Sequence, residues 1–274
     1  MKLSTGVRST FSTLIFIGLV MGMQACGGSK GTPPPAPLPD QDSSGIYSGT
    51  ATVDVNTDIT DLRGIIYNNR FMFFSVTAAP HVLYDGTITS IIKDDYTATV
   101  DVYENGTKTQ TAVAVTGKVL TATSITGTIG TAGTAGNHNG TFTLNYSNEY
   151  ERAGTTARIE ATGLNKATGT TYGTLDLSSS NTFRTDLIFV VLSTGASTCA
   201  INEVYAIPDA TVNIYTINNI DIIDPTTVCL DSYEGTGYSG MASVIDDGIG
   251  GTDNRILIAY TNGTNSVFSL LTKP

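Results

Sequence analysis

The chain has 274 residues, and its 24 acidic and 14 basic side chains give a formal net charge of −10 at pH 7. This length is enough for one large domain or two ordinary ones, of which two are expected, and the acidity argues against a nucleic-acid partner because it repels phosphate backbones. Only 14% of the residues are charged and 29 are glycine, a mixture that favours short strands and tight turns over long amphipathic helices.

The first 25 residues have the pattern of an export signal. Lys2 and Arg8 precede an apolar run over residues 11–23, and small residues follow around Cys26. The run of about 13 residues is too short to cross a bilayer as a helix, which needs roughly 20. Residues 1–25 are therefore predicted to be a signal peptide.

The end of this segment resembles the lipobox of bacterial lipoproteins. Ala25 and Cys26 match its small residue and its lipidated cysteine, whereas Met23 and Gln24 depart from the usual leucine and small residue. The resemblance implies a diacylglycerol thioether and a palmitate-type acyl group on Cys26, and several acyl chains make attachment to a membrane effectively permanent. Because Gly27 follows the cysteine, instead of the aspartate that retains many lipoproteins at the inner membrane, the resemblance implies an outer-membrane location on either face.

Residues 26–44 are predicted to be a tether. After Cys26 the sequence reads "GGSKGTPPPAPLPDQDSS", a composition that cannot bury apolar surface and whose proline-rich part stays extended at about 3.1 Å per residue. We expect this segment to hold the folded part away from the lipid.

Beyond residue 44 the sequence predicts an all-β fold. Short segments rich in Val, Ile, Thr, Tyr and Phe alternate with turn residues, as in antiparallel meanders. We expect two consecutive meander units of about eight strands each, residues 45–152 and 153–274, forming small barrels or sandwiches, since closure removes exposed strand edges. Asn-Gly pairs at Asn105, Asn139 and Asn262 predict hairpin turns, because both residue types tolerate positive φ.

The pattern Tyr-Ser-Gly-x-Ala-x-Val occurs twice, beginning at Tyr47 and at Tyr238. In both places an acidic loop, a strand, an asparagine-rich turn and another strand follow. We interpret this as a duplicated three-strand meander that begins the first unit and ends the second. Both tyrosines are expected to be buried anchors beside Gly49 and Gly240, where the missing side chain lets a neighbouring backbone approach.

Two predicted strands are apolar on both faces. In "RFMFFS", Phe71 and Phe73 point one way while Met72 and Phe74 point the other, and residues 187–192 are also apolar throughout. Because such a strand needs cover on both sides, we expect these strands to pack the two units together or to lie under a loop. An exposed groove for a lipid or peptide is the alternative.

With Cys26 assigned to the lipid, Cys199 and Cys229 are the remaining cysteines. The cell envelope permits disulfides, so we predict a bridge between them. Closing a loop of about 30 residues would stabilise the second unit by roughly 3–4 kcal/mol. The chain has no Cys-x-x-Cys, which argues against a thioredoxin-type role.

Residues suited to catalysis or phosphate binding are sparse. The only histidines, His81 and His138, lie in turn-like surroundings, and no Gly-x-Ser-x-Gly elbow or usual zinc ligand set accompanies them. The glycine-rich run at 127–136 leads into a strand, so it is expected to be a loop without a helix N-terminus for phosphate. No catalytic, metal or cofactor residue is predicted.

Two acidic segments raise the question of calcium. Asp54, Asn56 and Asp58 alternate as calcium ligands do, but Ile59 and Ile65 stand where such a loop needs a glycine and a bidentate acid. A second acidic cluster follows the second copy of the repeat and consists of Asp246, Asp247 and Asp253. Solvated hairpin loops are expected, and calcium binding is the alternative.

The lipobox, the repeated meander and the cysteine pair together resemble two-domain all-β lipoproteins of Gram-negative bacteria, a resemblance that carries no known activity. More loosely, the chain is similar to surface lipoproteins that bind host proteins through β lobes, such as transferrin-binding lipoproteins. The leading hypothesis is a lipid-anchored, non-enzymatic protein that binds or scaffolds a macromolecular partner in the envelope or on a host. The alternatives are a carrier with a small apolar molecule inside a barrel, which large inward side chains would argue against, and an enzyme built on carboxylates.

Overall fold

Two antiparallel β-sheets follow one another along the chain, and each closes into an eight-stranded barrel. The computed structural model describes residues 39–54, 56–75, 81–131, 138–153, 160–164, 171–176, 183–191, 197–223, 235–246 and 255–272. The predicted all-β class with two consecutive meander units is confirmed, and the units are barrels rather than sandwiches.

Barrel 1 joins each strand to its neighbour in sequence. Its strands are β1 Gly45–Val53, β2 Asn56–Tyr67, β3 Arg70–Ser75, β4 Val82–Ile92, β5 Asp95–Glu104, β6 Thr107–Leu120, β7 Ser124–Ile129 and β8 Gly140–Ser147. β1 and β8 close the barrel in continuous register, from Ile46 opposite Ser147 to Val53 opposite Gly140.

Alternation of apolar and polar residues decides which face of each strand lies inside barrel 1. In β5, Tyr96, Ala98 and Val100 are buried while the residues between them are exposed. The interior is a packed core whose largest side chains are aromatic, namely Tyr47, Phe71, Phe73, Tyr84, Tyr96 and Phe142. Side chains of this size fill an eight-stranded barrel.

The turn at Asn105 forms as predicted. Asn105 and Gly106 have φ of 47° and 89°, the positive values that a two-residue hairpin turn requires. Asn262 also begins a turn, but this turn extends to Asn265, whose carbonyl accepts a hydrogen bond from the Asn262 N–H at 3.1 Å.

The prediction of a hairpin turn at Asn139 is wrong. Gly140 is the first residue of β8, and a Cβ placed there would lie 1.9 Å from the Thr52 carbonyl oxygen. The glycine is needed for this close approach between strands and not for a turn. The expected glycine-rich loop likewise begins later than predicted, because Gly127 lies within β7 and pairs with Gly117 and Phe142.

Barrel 2 follows a short 3₁₀ helix at Asn148–Glu151. Its strands are β9 Glu160–Leu164, β10 Thr171–Asp176, β11 Phe183–Val191, β12 Ser197–Ala206, β13 Tyr215–Ile223, β14 Gly235–Ile245, β15 Arg255–Thr261 and β16 Ser266–Thr272. It closes between β16 and β9 at the pair Thr272 and Thr162.

The duplicated sequence forms a three-strand antiparallel meander in both places, β1–β3 in barrel 1 and β14–β16 in barrel 2. Tyr47 and Tyr238 are 1% and 0% exposed. A Cβ on Gly49 would lie 2.1 Å from a carbonyl oxygen of β8, and one on Gly240 would lie 2.0 Å from a carbonyl oxygen of β15. Buried tyrosines beside closely approached glycines are thus confirmed in both copies.

Candidate functional site

The two barrels meet across an apolar interface, here named the seam. It consists of Ile46, Ile65, Met72, Phe74, Leu83 and Tyr103 of barrel 1 and Ile214, Met241, Ile245, Leu257, Ala259 and Phe268 of barrel 2. At its centre the rings of Phe74 and Phe268, both 0% exposed, lie with their centroids 5.5 Å apart. The seam packs the barrels against each other as a protein interior is packed.

The two faces of the doubly apolar strand β3 contribute to different apolar clusters. Phe71 and Phe73 belong to the core of barrel 1, whereas Met72 and Phe74 belong to the seam. All four are at most 3% exposed, so the prediction that this strand packs the two units together is confirmed and the alternative of an exposed groove at β3 is wrong. The side chains of the second doubly apolar stretch, residues 187–192, lie outside the described part of the structure.

A polar cluster borders the seam where β3 and β4 face barrel 2. The guanidinium of Arg70 donates two hydrogen bonds of 2.9 Å to the Asp85 carboxylate. It also donates to the hydroxyl and the carbonyl of Ser239, both at 3.1 Å, and the Thr261 hydroxyl donates to Asp85 at 2.7 Å. The Arg70–Asp85 ion pair of barrel 1 is therefore also hydrogen-bonded to barrel 2. The two side chains of the pair are partly exposed, at 29% and 15%.

Two turns that carry Asn-Gly pairs also touch. Thr107 and Asn265 form a bridge between the barrels. On its two sides the Lys108 N–H donates to the Thr264 carbonyl at 2.9 Å, and the Ser266 N–H donates to the Gly106 carbonyl at 2.8 Å. Hairpin ends that would otherwise be solvated thus extend the contact between the barrels.

A small open cleft lies on the outer wall of barrel 1 beside the polar cluster. Here named the outer cleft, it has a volume of about 230 Å³ and is lined by Arg70, Asp85, Gly86, Thr87, Thr99, Val100, Asp101 and Ala112. Asp101 accepts hydrogen bonds from Lys108 at 2.9 Å and from the Ala112 N–H at 2.8 Å. The hydrogen bond to Asp101 raises the pKa of Lys108.

Ala112, which lines the outer cleft, has an unusual backbone conformation. Its φ of 52° is in the left-handed region, which alanine rarely adopts and which costs roughly 1–2 kcal/mol. The carboxylate of Asp101 holds this residue in place through its N–H. Strained backbone persists only where the surroundings impose it, and here the strain coincides with a bulge between β5 and β6.

The outer cleft has a polar lining. Its carboxylates are matched by Arg70 and Lys108, and the hydroxyls of Thr87 and Thr99 complete a polar wall. Such a surface can both accept and donate hydrogen bonds. Its lining includes no histidine or cysteine that could activate a nucleophile.

A chain of three hydrogen-bonded polar side chains, two of them buried and Glu104 29% exposed, lies at the opposite end of barrel 1 from the 3₁₀ helix. The sequence did not predict it. The Tyr84 hydroxyl is 3.1 Å from His138 Nδ1, and His138 Nε2 is 2.7 Å from Glu104 Oε1. A carboxylate only accepts, so Nε2–H donates to Glu104; in the neutral imidazole, Nδ1 then accepts from the tyrosine. His138 is 2% exposed, in contrast to the turn-like setting expected for it.

A histidine between a carboxylate and a hydroxyl is the arrangement that activates nucleophiles in catalytic triads. Here the hydroxyl belongs to Tyr84, which is 1% exposed, and burial raises the pKa of Tyr84. A neutral hydroxyl enclosed by protein offers no access to a substrate. These three side chains instead satisfy one another's hydrogen-bonding groups, and they connect the segment before β8 to β4 and β5.

The last residues of the predicted tether are bonded to barrel 1. The Gln41 N–H donates to the Lys93 carbonyl at 2.8 Å, and the Lys93 N–H donates to the Asp40 carboxylate at 2.7 Å. The Asp42 N–H donates to the Thr121 hydroxyl at 2.8 Å. Residues 39–44 therefore belong to the folded body, and the chain enters barrel 1 at the end that carries the β4–β5 and β6–β7 turns.

The predicted covalent sites stay predictions. Cys26 and Cys229 lie outside the described residues, and Cys199 lies in β12, where it pairs with Phe189. Asp54 is exposed in a turn after β1, whereas Asp58 is exposed but lies in strand β2 and not in the loop expected for it. Asp246 is half-buried, and Asp247 and Asp253 lie in undescribed segments. Within the described part of the chain no group of three or more His, Cys, Asp or Glu side chains could hold a metal ion.

Comparison of the chain with protein-family models, with curated proteins and with solved structures finds no match. The helical residues that the structure describes include no segment long and apolar enough to cross a membrane.

Proposed function

We propose that this chain is a lipid-anchored protein of the bacterial outer membrane that binds a macromolecular partner and has no enzymatic activity. The observation that carries the proposal is the seam, which packs two barrels into a single platform. A barrel with a packed core and a covered flank changes shape little on binding, so its outer wall and loops can present a fixed surface.

The outer cleft is the part of this platform best suited to hold a partner. It is open and polar, and its lining includes the strained residue Ala112. The net charge of −10 favours a partner with a basic or neutral surface over an anionic one. We propose that a polar side chain of the partner occupies the cleft and that hydrogen bonds to Thr87, Thr99 and Asp101 hold it there.

The alternative of an apolar-ligand carrier receives no support from barrel 1. Tyr47, Phe73, Tyr84 and Phe142 point inward and are buried, which leaves the space of a small barrel filled by its own side chains.

The anchor is tested by expressing the full chain in a Gram-negative host beside Cys26→Ser. The chain with Cys26 should sediment with outer membranes, and its N-terminal peptide should carry the mass of a diacylglycerol and an acyl group. The variant should leave the membrane fraction. An unmodified Cys26 in membrane-bound protein would contradict the anchor.

The partner site is tested by placing a photo-crosslinking amino acid at Thr99 in the anchored chain. The matched control is Thr97, which lies two residues away on the same exposed face of β5 but does not line the cleft. A discrete crosslinked protein is expected from position 99 and not from position 97. Equal crosslinking from both positions, or none from either in anchored protein, would overturn the assignment of the cleft.

A further inference from the structure

The described residues contain two large apolar side chains that are exposed, Ile92 at 67% and Leu120 at 48%. Ile92 ends β4 and Leu120 ends β6. Both positions lie at one rim of barrel 1, because Asp95 of β5 pairs with Ile92 of β4 on one side and with Lys118 of β6 on the other. Val119 is buried, so Leu120, which follows it in the strand, faces outward.

The chain enters barrel 1 at this same rim. Gln41 is bonded to Lys93, in the turn that follows Ile92, and Asp42 is bonded to Thr121, the residue after Leu120. Residues 26–38 separate Cys26 from this point, and even fully extended they reach only about 45 Å. A lipid on Cys26 would therefore keep the rim within about 45 Å of the bilayer.

We infer that Ile92 and Leu120 form a lipid-contact rim, which dips into the interfacial layer of the bilayer and orients the double barrel. This inference rests on the proposed lipid anchor at Cys26. The tether alone allows the barrels to tumble, but it confines the rim to a short distance from the lipid, and at such an effective concentration a weak contact is occupied much of the time. Two exposed apolar side chains are suited to a weak contact of this kind.

The charges around the rim indicate which lipid it prefers. Lys118 lies 2.7 Å from Asp94 and 2.9 Å from Asp95, and Asp40 and Asp42 lie on the adjoining segment. Acids outnumber bases here, so attraction to an anionic surface does not explain the contact. The occupant we assign is a zwitterionic bilayer surface, held by apolar contact.

The experiment uses a property of the composition: the chain contains no tryptophan. Leu120→Trp therefore introduces a single reporter in the full lipidated chain, reconstituted in phosphatidylcholine vesicles that contain lipid brominated near the head group. The matched control is Thr141→Trp, at the exposed second residue of strand β8, at the opposite end of the barrel. The tryptophan at 120 should be quenched several-fold more strongly than that at 141, and its emission should be shifted to the blue.

Adding Ile92→Ser to the first reporter variant should reduce the quenching, while circular dichroism and the melting temperature stay unchanged because Ile92 is exposed. Equal quenching at 120 and 141, or quenching that Ile92→Ser leaves unaltered, would overturn the lipid-contact rim. Failure of the anchor gives a different result, since protein without acyl mass on Cys26 would not float with vesicles at all.

Discussion

The pair Phe74–Phe268 offers the most direct test of the seam. Each ring is 0% exposed and their centroids are 5.5 Å apart at an interplanar angle of 44°. Truncating either ring to alanine should lower the free energy of unfolding by about 3–5 kcal/mol, the usual cost of removing a buried phenylalanine. This loss is a large fraction of the roughly 5–15 kcal/mol that stabilises a typical domain.

A double-mutant cycle separates contact across the seam from loss of core volume. With leucine at both positions, the coupling between Phe74 and Phe268 should be about 0.5–1.5 kcal/mol, the range measured for aromatic pairs beyond their buried area. The control cycle pairs Phe268 with Phe142, which belongs to the core of barrel 1 and not to the seam. The effects of those two substitutions on the free energy of unfolding should be additive within about 0.5 kcal/mol.

The measurement is urea unfolding of the folded chain, followed by circular dichroism and by tyrosine fluorescence. Intact seam packing predicts that both probes report one transition, and Phe74→Ala should separate it into two, because the barrels then unfold with less coupling. No measurable coupling between positions 74 and 268, or equal coupling in the control cycle, would refute the assignment of these rings to one interface.

Three other substitutions or conditions test the interior. Tyr96→Phe should raise stability by about 1 kcal/mol, since the buried Tyr96 hydroxyl has no hydrogen-bond partner among the described residues; a loss of stability in urea would contradict this. Gly240→Ala should prevent folding or lower the free energy of unfolding several-fold more than Gly263→Ala, because a Cβ at 240 would lie 2.0 Å from a main-chain oxygen. Position 263 has open space, and only its φ of +85° disfavours alanine, at a cost of roughly 1–2 kcal/mol. Similar melting temperatures for both variants would disprove the close approach. Burial raises the pKa of Tyr47, Tyr84 and Tyr96 from 10.0, so above about pH 10 the folded chain keeps protons that the unfolded chain releases. The contribution of these three tyrosines to the free energy of unfolding should be constant below about pH 10, and stability should fall as the pH rises further. Stability in urea that does not fall above about pH 10 would argue against it.

Features decided by neighbouring residues could be predicted from the sequence. The alternating pattern of β5 and the positive-φ turn at Asn105 need only local information. The doubly apolar strand β3 also indicated an interface, because covering Phe74 requires a second body whatever that body is. The number of strands followed from the spacing of such signals.

Features decided by distant residues could not be predicted. His138 meets partners 34 and 54 positions away, and a histidine between glycines and asparagines looks solvated until the barrel closes around it. Arg70 meets Ser239 across 169 positions. Asn139-Gly140 matches the sequence of a hairpin turn, yet the missing Cβ of Gly140 serves a close approach to Thr52. The glycine-rich run before it was the only sign in the sequence of a longer connection.

The seam also gives a structural reason for the repeated meander. Four of its six residues from barrel 1 lie in β1–β3, and five of its six from barrel 2 lie in β14–β16. The outer wall of a small barrel can be apolar only where another surface covers it, and a copied meander provides a second wall of matching strand geometry, as self-complementary patches do in symmetric dimers. Each copy therefore has two roles, since its inward side chains contribute to its own barrel and its outward side chains cover the other. It follows that neither barrel alone has a fully covered surface, and separating them would expose Phe74 and Phe268 to water.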